Sequence, residues 1–117
     1  MKEIISKINW GLQSNLSIGI IDSEFDYLDS IKDVIELENY RYENKMSIKD
    51  FYTIKTFIET LEQLSDKVVL INLDLLTKEF IPFIGTYIDY GNKVILISEN
   101  KFPRELEIRT YLINQKL

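Results

Sequence analysis

The strongest constraint on this chain is one pattern met three times: a short apolar run, rich in β-branched residues, that stops abruptly on polar ones. It occurs as "SIGII" over residues 17–21, directly before Asp22. It recurs as "KVVLINLDLL", turning polar between Asn72 and Asp74, and as "KVILIS", ending on Ser98. Continuous apolar runs without in-out alternation mark strands buried on both faces, and strands of that kind belong to parallel sheets.

The segments between them change period. Phe25, Leu28, Ile31 and Ile35 recur at three and four residues, with Glu24, Asp26, Asp29, Lys32, Asp33 and Glu36 on the other face, so the spacing predicts a helix over 24–37 with Ser23 as its N-cap. Phe51, Ile54, Ile58 and Leu61, joined by Phe57 and Leu64, predict a second over 50–64. Phe80, Ile81, Ile84, Tyr87 and Ile88 predict a third; Pro82 limits where it starts and Gly91 stands where a left-handed C-terminal cap belongs. Residues 1–12 carry Ile4, Ile5, Ile8 and Leu12 on one helical side, and "YRYENKM" reads as a second, partly exposed strand. In the tail, a helical turn opened by Pro103 is followed by a strand within "IRTYLIN"; a helix over residues 103–117 is the other assignment.

Strands and helices in alternation imply right-handed βαβ crossovers and a mainly parallel sheet with helices on both faces. The 117 residues, 45% of them hydrophobic, supply one core, so a single α/β domain over 1–117 is expected, with 1–15 as a helical N-terminal extension.

Composition narrows the chemistry. There is no cysteine and no histidine, which removes disulfides, thiolate ligands and imidazole bases, and leaves carboxylates, hydroxyls, amides and lysine. The net charge of −5, with scattered Lys and Arg, opposes binding of a phosphate backbone, so no nucleic acid is expected to bind through this domain alone. No apolar stretch is long enough to span a membrane, and charges interrupt the first fifteen residues. The expectation is a cytoplasmic protein without a membrane partner.

In parallel α/β sheets, ligands gather outside the carboxyl ends of the strands. Here those ends carry Asp22, Ser23 and Glu24, then Asn72 and Asp74, then Ser98 and Glu99. With these residues in view, "IGIIDSEFDYLDSIKDVIELENY", "VVLINLDLL" and "VILIS" together resemble the receiver domain of bacterial two-component response regulators over residues 17–100. The resemblance implies a three-layer, doubly wound, flavodoxin-like sheet of four to five strands in the order 2-1-3-4(-5). It aligns Asp22 with the first acid of the magnesium pair, Ser23 with the second, Asn72 with the phosphoacceptor and Ser98 with the switch residue. Lys116 is the nearest counterpart of the family's lysine.

The matched positions depart from the family. An amide at Asn72 lacks the anionic nucleophile that phosphoryl transfer requires, and a hydroxyl at Ser23 removes one of the oxygens that hold Mg²⁺. The resemblance therefore implies a degenerate pocket of Asp22, Ser23, Asn72, Asp74 and Ser98, with no catalytic residue, no metal and no cofactor. Each residue also has a plain structural role open to it: Ser23 as an N-cap, Asn72 as a partner for strand-end backbone groups, Ser98 as a turn residue.

The function this implies is a phosphorylation-independent regulatory module, the N-terminal part of a regulator, that acts through a protein partner or as a homodimer. Family docking surfaces map to about residues 101–116, where Phe102, Arg104, Arg109 and Tyr111 stand out as interface-type side chains. Two alternatives stay open: a phosphorylatable switch using Asp74, and a small acidic inhibitor or antidote.

Overall fold

Each run that stops on polar residues is a strand. In the computed structural model, which describes residues 2–21, 39–42, 51–65 and 68–114, these are β1 (Ser17–Ile21), β3 (Val68–Asn72) and β4 (Val94–Ser98). A shorter β2 (Asn39–Tyr42) and a final β5 (Thr110–Asn114) complete the strands. The helices are α1 (Lys2–Gln13), α2 (Phe51–Gln63), α3 (Ile81–Asp89) and the single turn α4 (Arg104–Glu107). The tail is thus a turn followed by a strand. The helix expected over 24–37 lies outside the described residues.

All strand pairs are parallel, and the order across the sheet is β2-β3-β4-β1-β5. The expected order 2-1-3-4(-5) is corrected by this arrangement: β1 lies between β4 and β5, and pairs with neither β2 nor β3. Periodicity identifies strands, but a neighbour is chosen by packing. A connection as long as residues 22–38 reaches across three strand spacings, roughly 14 Å, as easily as across one.

From β2 to β3, β4 and β5 the chain always moves the same way along the sheet. Right-handed crossovers then put α2, α3 and α4 on one face. That face is a core of Phe57 and Leu61 from α2, Ile81, Ile84 and Tyr87 from α3, and Leu106 from α4, against Val69, Ile71, Val94 and Leu96. Phe57 and Phe80 meet edge to face at 4.8 Å. The opposite face is covered by α1, whose Ile4 and Ile8 pack on Ile18, Ile20, Leu70, Ile95, Ile97 and Ile113. Full burial of each such side chain stabilises the fold by about 1.5–3 kcal/mol relative to exposure. The expected N-terminal extension is therefore a layer of the domain.

Two helix ends show how local sequence sets the chain's direction. After α1, Asn15 takes φ 66° while Leu16 N–H donates to Gly11 C=O and Asn15 N–H to Leu12 C=O, the paired bonds of a Schellman motif. Lys93 Nζ donates to the Leu12 carbonyl as well, at 3.2 Å, placing a cation at the negative end of the helix. After α3, Gly91 adopts φ 91° and its N–H donates to Ile88 C=O, as the sequence predicts for that glycine. No helix among the described residues is long and apolar enough to cross a membrane.

Candidate functional site

The carboxyl ends of β3 and β4 carry a connected set of polar contacts. Asn72 ends β3 in an extended conformation, and its Oδ1 accepts the Asp74 N–H at 3.0 Å, capping a 3₁₀ turn over Leu73–Leu75. Asparagine suits this position because its short side-chain carbonyl reaches a backbone N–H two residues on. The turn aims Asp74 at the end of β4. There Ser98 Oγ donates to Asp74 Oδ1 at 3.0 Å, and the Glu99 N–H donates to Asp74 Oδ2 at 2.8 Å. Ser98 Oγ also accepts the Asn100 N–H at 3.0 Å, so the buried hydroxyl both gives and receives a bond. The carboxylate side chain of Asp74 thus ties the loop after β3 to the loop after β4.

Of the five pocket residues read from the sequence, the structure brings Asn72, Asp74 and Ser98 together. Asp22 and Ser23 lie outside the described residues. Ile21, the last residue of β1, is in register with Ser98, so the end of β1 adjoins β4 and is separated from β3 by that strand. Among the described residues no group of three or more carboxylates converges as metal ligands.

The four candidate interface residues do not form one surface. Phe102 is 3% exposed and belongs to the core under α2 and α3, although its edge and Arg104 line a shallow depression with Lys101, Glu107 and Ile108. Tyr111 packs on the other side of the sheet, against the α1 layer, with its ring 5.2 Å from Trp10 in a T-shaped contact. Arg109 is committed elsewhere: Nε donates to Asp89 Oδ1 at 2.8 Å, Nη2 to Asp89 Oδ2 at 3.1 Å, and Nη1 to the Glu105 carbonyl at 2.6 Å. These bonds hold the Asp89 carboxyl below its ordinary range and raise Arg109 further. Gly85 lies beside the Arg109 side chain, where a Cβ would come within van der Waals contact of it at 3.7 Å.

Two features carried no sequence signal. One is a groove of about 440 Å³ between α2 and α3, walled by Ile58, Leu61, Phe83 and Tyr90 with Glu62 and Asn92 at its rim. The other is Ser17, buried at the start of β1, whose Oγ accepts the Val94 N–H at 3.1 Å and donates to the Asn92 carbonyl at 3.4 Å. Both join segments distant in the chain, and local periodicity does not report such pairs. No family model, curated protein or solved structure matches this chain.

Proposed function

We propose that this chain is a non-catalytic recognition module, a cytoplasmic protein working through contact with a protein partner or a second copy, and that the carboxyl edge of its sheet is a structural brace. The observation that carries the reading is the double engagement of Asp74, one oxygen on the Ser98 hydroxyl and the other on the Glu99 N–H. A carboxylate nucleophile must present an oxygen in line with the phosphorus, with a metal ion neutralising the transferring charge. Here both oxygens of Asp74 already accept a hydrogen bond that fixes the carboxylate's orientation, so an attack from Oδ2 would have to use its remaining lone pair beside the Glu99 N–H.

The strand order supports the same conclusion. In the order implied by the receiver resemblance, β1 and β3 are neighbours and their acids share one ion. Here β4 stands between them, and the strand ends are two spacings apart, roughly 9–10 Å. Kinship with receivers loses its architectural support, while a role in recognition does not depend on it.

A second reading, phosphorylation of Asp74, is favoured by one contact, the 3.0 Å bond from the Ser98 hydroxyl to the carboxylate. One experiment separates the two. Incubation with acetyl phosphate and Mg²⁺, followed by intact-mass measurement and peptide mapping, is expected to leave the mass unchanged. A stoichiometric phosphoryl adduct on Asp74 would overturn the non-catalytic reading.

A further inference from the structure

We infer that the outer edge of β5, unpaired among the described residues, is a homodimer interface, at which two copies pair β5 antiparallel about a two-fold axis through Leu112. This rests on the recognition reading and names a second copy as the partner. β5 closes the sheet on one side, and among the described residues it pairs only with β1. Alternate residues of a parallel strand direct both backbone groups to one neighbour, so the intervening N–H and C=O groups of β5 face outward. Natural edge strands are usually guarded against pairing by charges, proline or a bulge. The stretch Thr110–Asn114, sequence TYLIN, carries no charge, proline or glycine, whereas β2 at the opposite edge, sequence NYRY, carries Arg41.

The pattern of β5 fits itself. Turned about Leu112, Thr110 comes opposite Asn114, Tyr111 opposite Ile113, and Leu112 opposite its own copy, which matches polar with polar and aromatic with β-branched. That self-complementarity is what an isologous two-fold contact demands, and it selects a second copy over an unrelated strand. The charge just before the strand, Arg109, is paired with Asp89, so two copies approach without an unpaired cation at that position. On the α1 side, Trp10 leans on Tyr111 and remains 55% exposed, an aromatic placed to extend the contact beyond the backbone ladder.

The test uses the whole chain. Light scattering over a range of concentrations is expected to show the mass rising from 13.9 kDa to twice that value, and amide exchange of β5 is expected to slow as the dimer forms. Two charge variants then test the register: Thr110→Lys with Asn114→Lys, and Thr110→Glu with Asn114→Glu. Each alone should be monomeric, because like charges stand opposite across the axis, and an equimolar mixture should regain the dimer. A monomeric wild type, or a dimer whose β5 amides exchange as in the monomer, overturns the proposal, and the wild-type measurement decides even if a variant fails to fold. A monomer that also takes no phosphoryl group removes self-pairing and leaves the non-catalytic reading in place.

Discussion

Arg109 holds Asp89 through a two-pronged contact, Nε to Oδ1 at 2.8 Å and Nη2 to Oδ2 at 3.1 Å, and so fastens the chain entering β5 to the last turn of α3. This contact joins α3 to the segment between α4 and β5 at the surface, where most of the Asp89 side chain meets solvent. Such a pair orients the segments it joins more than it stabilises them, since water and salt screen it.

The pH dependence of this contact has a definite sign. The Arg109 hydrogen bonds hold Asp89 below its ordinary carboxyl range in the folded chain. A depressed folded value means that the contribution is complete above the ordinary Asp value of about 3.9, and is lost as pH falls through the folded value. Replacing Asp89→Asn should therefore lower the melting midpoint at about pH 7, and the difference from the wild type should shrink as the pH falls through the folded value. Raising the salt concentration should shrink the difference at neutral pH.

The brace at the strand ends predicts a local effect. Asp74→Asn keeps an oxygen for the Ser98 hydroxyl but turns an N–H₂ group toward the Glu99 N–H, where a donor meets a donor. The expected loss is about 1 kcal/mol, the net worth of one hydrogen bond. Amide exchange should accelerate at Glu99 and Asn100, with the centres of β3 and β4 unaffected. Uniform acceleration across both strands would show that the carboxylate has a global role instead.

Much of the architecture was legible in local sequence, for identifiable reasons. Strands buried on both faces produce continuous apolar runs, and the runs ending on Asn72 and Ser98 are strands that end there. Ile4, Ile8 and Leu12 predicted α1, and Gly91 predicted the turn after α3. The strand order was not legible, because it depends on which side chains interlock across the sheet. At the site, the end of each strand was visible but the partner was not: Asn72 aligned with the acceptor position, yet it is Asp74, turned by the intervening 3₁₀ bend, that meets Ser98. Phe102 and Tyr111 looked alike as interface aromatics, and only the sheet between them separates a core ring from a ring at the edge.

Gly19 explains part of how β1 comes to lie beside β5. A side chain there would meet the Phe102 ring at 2.6 Å and Leu112 at 3.0 Å, so the glycine leaves the space that Phe102 fills. Gly19→Ala should cost about 1–3 kcal/mol, as overpacking of a dense core does. Combining it with Phe102→Leu should recover part of that cost, and a double-mutant cycle reads the coupling. Strict additivity of the two changes would mean that the crowding is absorbed elsewhere.

Ser17 supports the last prediction. Ser17 is 5% exposed, and its hydroxyl serves two backbone groups at the amino end of β4, accepting from Val94 N–H and donating to Asn92 C=O. Within a sheet interior a backbone N–H that loses its partner keeps the full cost of leaving water. Ser17→Ala should therefore destabilise the fold by about 1–3 kcal/mol despite removing a single oxygen. Ser17→Thr retains the hydroxyl and, where the added methyl is accommodated, should recover most of the stability. Denaturant unfolding of the three proteins, read with amide exchange at Val94, separates the lost bond from lost packing. If Ser17→Ala melts like the wild type with Val94 still protected, the start of β4 is held by the strand ladder alone.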